Sequence, residues 1–123
     1  MAARFRRDAR HEEAASLLRQ AGGVRIVTSN HVSGETWTFL RRRDGHRTAV
    51  AFLDMLDRSA RVDVVTVGEE LEAQALRWLR RHDEREYSFV DATSFALMRS
   101  LRIRDALAFD GDFAAAGFVE LRV

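Results

Sequence analysis

Cysteine, proline and lysine are all missing from these 123 residues. Without cysteine there is no disulfide framework and no thiolate metal site, so zinc ribbons and cysteine nucleophiles are excluded. No stretch approaches the ~18 consecutive apolar residues that a bilayer-spanning helix needs. The opening residues, MAARFRRDARHEEAASLLRQ, are charged and helix-patterned, and they lack the apolar segment and small-residue cleavage site of a secretory signal. A cytoplasmic protein with no membrane association is expected. There is neither a phosphate-cradling glycine loop nor a G-x-S-x-G elbow. His11, His31, His46 and His82 show no H-x-x-x-H or H-x-x-E-H spacing, and each reads as a capping or surface residue.

Charge excludes less. Twenty basic residues face 19 acidic ones for a net charge of +1, which does not by itself point to nucleic acid. With no lysine, every one of the basic residues is arginine. Arginine's planar fork grips phosphate bidentately, so the clusters at 41–43 and 80–81 could hold a polyanion. GC-rich coding is the plainer account of the bias and leaves only the clustering as a hint.

What is present is a globular composition, 46% hydrophobic and 32% charged, in a chain of single-domain length. Residues 4–21 place Ala14, Leu17, Leu18 and Ala21 at helical spacing, and Gly22 and Gly23 stop that helix. VRIV at 24–27 is a short strand. TSNHVSGETWTFLRRR is a second helix opening on a Ser or Asn cap, with Val32, Thr36, Phe39 and Leu40 on its inner face. Asp44 and Gly45 break it. Ala49, Phe52, Leu53 and Leu56 define a third helix, antiparallel to the second because the connection is so short. VDVVTV at 62–67 is strand-like, Leu71, Ala75, Trp78 and Leu79 mark a fourth helix, and a fifth runs from Ser88 to about residue 102 with Phe95 and Met98 inward. ALAF at 106–109 and FVELRV at the end are the last strands. The alternation predicts an α/β domain whose parallel sheet is covered on both faces, with its ligand site outside the carboxyl ends of the strands.

Carboxylates stand at suggestive places in this frame. Asp110 and Asp112 follow the strand ALAF directly, although DGD is also good turn sequence. Glu35 shares the helix face of Val32 and Phe39, which places it on the buried side. A buried carboxylate needs a partner, whether an arginine, a hydrogen-bond network or a cation. Ser88-x-x-Asp91 is a capping box, which alone accounts for Asp91, yet the same placement aims a carboxylate out of the helix's first turn. Ser94 lies further along the same side. Like charges ~4 Å apart repel by about 4 kcal/mol at an effective dielectric of 20, so a cluster of these acids persists only around a cation. Hard oxygen donors select Mg²⁺ or Mn²⁺ over zinc, and such ions serve phosphodiester hydrolysis.

The segment FVDATSFALMRSLRIRDALAFDGDFAAAGFVEL resembles the second half of the PIN-domain family, in its branch of VapC-type toxins of bacterial toxin–antitoxin systems. TSNHVSGETWTFL resembles that family's acidic helix, and RRDARHEEA is similar to its first helix. The resemblance implies a three-layer α/β/α fold with a central parallel sheet, formed by residues 1–123 as one PIN-like domain, and a Mg²⁺- or Mn²⁺-dependent endoribonuclease. Glu35, Asp91, Asp110 and Asp112 would be catalytic acids and metal ligands, with Thr93 and Ser94 near metal or substrate. Residues 28–58 would help bind an antitoxin, and the chain would pair with itself. PIN domains begin with a strand ending in aspartate, typically within VDTS. This chain is expected to start after that segment, with nothing before Arg7 to replace it and Met1 an internal residue of a longer natural protein. Two consequences are weighed against an active nuclease: an inert module that keeps an antitoxin or RNA surface, and an exchange of elements between two chains to repair the sheet.

Overall fold

The computed structural model describes residues 3–7, 25–108 and 110–121. Among them, parallel strands β1 (Arg4–Arg6), β2 (Ile26–Ser29), β3 (Val62–Val65), β4 (Asp105–Leu107) and β5 (Val119–Glu120) form one sheet in the order β3-β2-β1-β4-β5. Helices α1 (Asn30–Asp44) and α2 (His46–Arg58) follow β2, while α3 (Glu69–Arg81) and α4 (Phe89–Leu101) lie between β3 and β4. A single turn, α5 (Asp112–Ala115), precedes β5.

Here two expectations are overturned. Residues 4–6 are not the start of a helix, and they do fill the central position thought to be missing. Arg4 and Phe5 pair with Ile26 and Val27 on one side, and Arg4 to Arg6 pair with Asp105 to Leu107 on the other. The physical reason is that β2 and β4 each turn an unpaired edge toward that slot, and an extended backbone of almost any composition satisfies both. Phe5 supplies the one side chain the core demands, being fully buried and stacked against Phe113. The flanking arginines point to the other face, where Arg4 lies 3.9 Å from Asp105 and the Arg6 guanidinium sits over the Phe52 ring. Because the chain's own strand completes the sheet, no exchange between chains is needed. The rest of the helix expected over residues 4–21, with its glycine stop, lies outside the described residues.

Pleat alternation divides the core between the two faces. Phe5, Val27 and Ala106 join Ala75, Trp78, Phe95, Met98 and Phe113 on one side. Ile26, Val62 and Leu107 meet Leu56 of α2 on the other. Both faces are therefore covered, as the α/β/α reading requires. On the first side the rings of Trp78, Tyr87, Phe95, Phe113 and Phe118 pack edge-on and offset, an arrangement that adds to plain area burial.

Local signals place the helix ends well. Ser29 caps α1, its Oγ accepting from the Val32 N–H at 3.1 Å. Gly45 joins α1 to α2 at φ +97°, a left-handed conformation that glycine adopts without a Cβ clash. One helix face differs from expectation. Val32, Thr36 and Leu40 are buried, but Glu35 and Phe39 are exposed. At ~100° per residue, Glu35 lies roughly 100° round from the centre of the buried stripe, so it belongs to the flank. Leu53 on α2 is likewise exposed, while Ala49 and Phe52 are buried.

Candidate active site

All five strands run the same way, so their carboxyl ends form one rim. Arg7 leaves β1 there, α1 with Glu35 leaves β2, and the Asp110–Asp112 turn follows β4. The amino end of α4 brings Asp91 to the same rim.

Asp91 performs two tasks. The capping box is formed, with the Ser88 Oγ accepting from the Asp91 N–H at 2.9 Å and the Asp91 Oδ2 accepting from the Ser88 N–H at 3.3 Å. Its other oxygen, Oδ1, accepts from Arg7 Nε at 2.7 Å. The same guanidinium reaches Glu35, with Arg7 Nη1 2.8 Å from Glu35 Oε1. Asp91 is only 3% exposed, and an unpaired carboxylate so placed would cost several kcal/mol. Arg7 is the countercharge. Burial alone would lower its pKa, but the Asp91 and Glu35 carboxylates outweigh that and raise it. Of the partners anticipated for Glu35, the structure supplies the arginine, on an exposed flank rather than a buried face.

Asp110 and Asp112 are held by Arg85. Its Nε donates to Asp112 Oδ1 at 2.8 Å, and its Nη2 donates to the Asp110 carbonyl at 3.1 Å. Asp110 Oδ1 accepts from the Asp112 N–H at 3.0 Å. The turn reading of DGD is realised, and the turn carries both acids at the rim. Burial raises the Asp112 carboxyl above the ordinary range; Arg85 opposes that shift, and repulsion from Asp110 and Asp91 reinforces it.

The rim thus brings Glu35 and Asp91 together through Arg7, and Asp110 and Asp91 each act on the Asp112 carboxyl. Thr93 and Ser94 follow Asp91 along α4. Both are fully buried, and both hydroxyls donate to the Val90 carbonyl at 2.8 Å. As donors, the four carboxylates suit a hard divalent cation. As spaced, they do not fit one: among the described residues no three acidic or histidine side chains are gathered closely enough to hold a metal ion, and a guanidinium stands between two of the four. Arg7 and Arg85 are the site residues that sequence reasoning missed. Nothing in the pattern separates them from the other arginines, because their role comes from tertiary placement.

A family model described as "PIN domain" matches residues 1–119. Over 116 residues the chain is 60% identical to "23S rRNA-specific endonuclease VapC20" of Mycobacterium tuberculosis, in strains CDC 1551 / Oshkosh and ATCC 25618 / H37Rv, covering 94% of this chain and 86% of that protein. A crystal structure of Mycobacterium tuberculosis VapC20, described as a "Sarcin-Ricin loop cleaving toxin", superposes with a TM-score of 0.87 at 52% identity and covers 99% of this chain and 100% of that one.

Proposed function

Because this chain belongs to the PIN-domain family, we propose that it is an endoribonuclease toxin that hydrolyses phosphodiester bonds in ribosomal RNA with Mg²⁺ or Mn²⁺ as cofactor. The observation that carries this reading is the rim of Glu35, Asp91, Asp110 and Asp112, in a chain 60% identical to an endonuclease named for 23S rRNA. Glu35, Asp91, Asp110 and Asp112 would be the donors for such a cation only once Arg7 gives way, since as spaced here they do not gather around one; the cation would supply positive charge against phosphate oxygens and activate water. Two features of the chain itself serve that chemistry. The capping box and the α4 backbone fix the Asp91 carboxylate before any ligand arrives, and Arg85 holds the Asp110–Asp112 turn. Preorganisation of this kind lowers the cost of gathering like charges.

The remaining partners follow the same reading. A protein antitoxin docks on the helical hairpin within residues 28–58, where α2 exposes Leu53 and a shallow groove of about 410 Å³ lined by Ala51, Met55 and Arg58. The toxin pairs with itself and works in the cytoplasm; no helix among the described residues is long and apolar enough to cross a membrane.

The test is cleavage of 23S rRNA in intact ribosomes, mapped by primer extension, with Mg²⁺ and with EDTA. Wild-type chain is expected to cut once in a defined loop with Mg²⁺ only, and Asp91→Asn is expected to be silent. Equal cutting by both chains would exclude the proposed site. A second reading, binding of RNA or antitoxin without turnover, draws on Arg7 standing among the acids with no aspartate among the described residues at the end of β1. It predicts RNA binding with no metal-dependent product.

A further inference from the structure

Phe39 is 46% exposed, one turn beyond Glu35 on α1, where the spacing of apolar residues predicts burial. A large aromatic ring left in water beside a candidate site offers a face on which a ligand can stack. The ring is the wall of an open groove of about 690 Å³ lined by Gly34, Glu35, Thr38, Phe39, Arg42 and Arg43. Along the helix axis Phe39 lies ~6 Å and Arg42 ~10 Å beyond Glu35, at 1.5 Å per residue. The groove therefore starts at a site carboxylate and leads away from it past an aromatic ring to a pair of positive charges.

The groove's chemistry is that of a nucleic-acid strand. Thr38 gives its hydroxyl proton to the Gly34 carbonyl at 3.1 Å, so the groove offers a ring face and guanidinium groups more than hydroxyl donors. Arg43 lies over Phe39 with its Cζ 4.9 Å from the ring centroid and is anchored to Asp44 at 2.8 Å, which backs the ring on one side. Single-stranded RNA is held by bases stacked on aromatic side chains and by arginine at phosphates. A polymer cut at the rim must also continue beyond it.

Resting on the endoribonuclease reading, we infer that the Glu35-to-Arg43 groove binds the RNA strand flanking the scissile phosphate, with one base stacked on Phe39 and a neighbouring phosphate on Arg42.

The test is fluorescence anisotropy of the full chain with a fluorescein-labelled sarcin–ricin stem-loop RNA in EDTA, so that no turnover occurs, titrated at several salt concentrations. Phe39→Leu keeps apolar bulk but removes the π-face. It is expected to weaken binding about 5- to 150-fold, corresponding to the loss of one base–aromatic stack, while Phe39→Tyr binds like wild type. Arg42→Gln is expected to reduce the slope of log affinity against log salt by about 0.7, one phosphate contact on a single strand. If wild type binds and both Phe39→Leu and Arg42→Gln match it in affinity and slope, the groove assignment is wrong and the endoribonuclease reading stands. If wild type fails to bind this RNA at all, both fall together. A groove serving an apolar protein segment instead would tolerate Phe39→Leu, and that tolerance toward RNA overturns the inference.

Discussion

Removing the Arg7 side chain isolates the most consequential interaction at the rim. In Arg7→Ala the buried Asp91 carboxylate loses its 2.7 Å partner and, among the described residues, keeps the Ser88 N–H. Breaking a fully buried ion pair from one side costs about 3–5 kcal/mol. The Glu35 arm adds little, because that side chain is 44% exposed and such pairs contribute at most about 1 kcal/mol. Since Arg7 itself is partly exposed and its site sits at a solvent-facing rim, roughly 2–3 kcal/mol is the reasonable loss. For a chain of this length that lowers Tm by roughly 6–15 °C. A divalent ion should then repair the variant, because it supplies the positive charge that the guanidinium supplied. At a concentration 100 times its Kd, a ligand specific to the native state adds about 2.7 kcal/mol. Differential scanning fluorimetry with and without Mg²⁺ is the assay. The variant is expected to melt well below wild type in EDTA and to show the larger Mg²⁺-induced rise, since in wild type the ion must first displace Arg7. Arg7→Lys should fall between them, as a point charge cannot bridge two carboxylates as a planar fork does. An Arg7→Ala chain that melts with wild type in EDTA, or whose Mg²⁺ response equals that of wild type, would refute this account of the rim.

Gly34 lies inside α1, and a Cβ added there would meet nothing within 4 Å. Gly34→Ala is therefore expected to stabilise the chain by about 0.5–1 kcal/mol through reduced backbone entropy of the unfolded state, checked by the urea midpoint; a lower midpoint would show that the helix needs the gap. Asp112 gives a pH test. Its carboxyl is raised above the ordinary 3.8, chiefly by burial, so the native state holds that proton more tightly than the unfolded chain. The associated stability is complete below the ordinary value and is lost as pH rises through the raised one. Unfolding measured over roughly pH 3.5–6 should show Asp112→Asn gaining on wild type as pH rises, and parallel curves would contradict the assignment.

Most of the architecture was legible because it is written in short-range patterns. The strand–helix alternation, the Ser29 cap, the Gly45 joint and the Ser88–Asp91 box each depend on a few neighbouring residues, and each appears where the pattern puts it. The acids were legible for a related reason, since elements of a parallel sheet deliver their ends to one rim regardless of detail. What could not be read were facts fixed by distant partners. Arg4–Arg6 is too short for its polar–apolar–polar alternation to stand out from a helical pattern, and it is a strand because two edges flank it. Arg7 resembles every other arginine until Asp91 and Glu35, which lie 84 and 28 residues further along the chain, close on it.

Phe39 and Arg7 are two of the places where local rules and the fold disagree, and both border Glu35. A helix pattern that asks for a buried ring leaves Phe39 46% exposed, with Arg43 over one face; an acid cluster that asks for a metal meets a side chain instead. Disagreement between levels costs stability, and natural chains keep it mainly where a ligand resolves it. On the proposed reading, a stacked base would resolve the exposure of Phe39 and a divalent ion would resolve the Arg7 bridge. The two resolutions are coupled through Glu35, which is the last carboxylate of the rim and the first wall of the groove. An ion that draws Glu35 from Arg7 also resets the head of the RNA path, so metal and RNA are expected to bind with positive cooperativity: Mn²⁺ should tighten RNA binding in wild type and do so less in Glu35→Gln. Identical tightening in both chains would separate the rim from the groove and leave the two disagreements without a common cause.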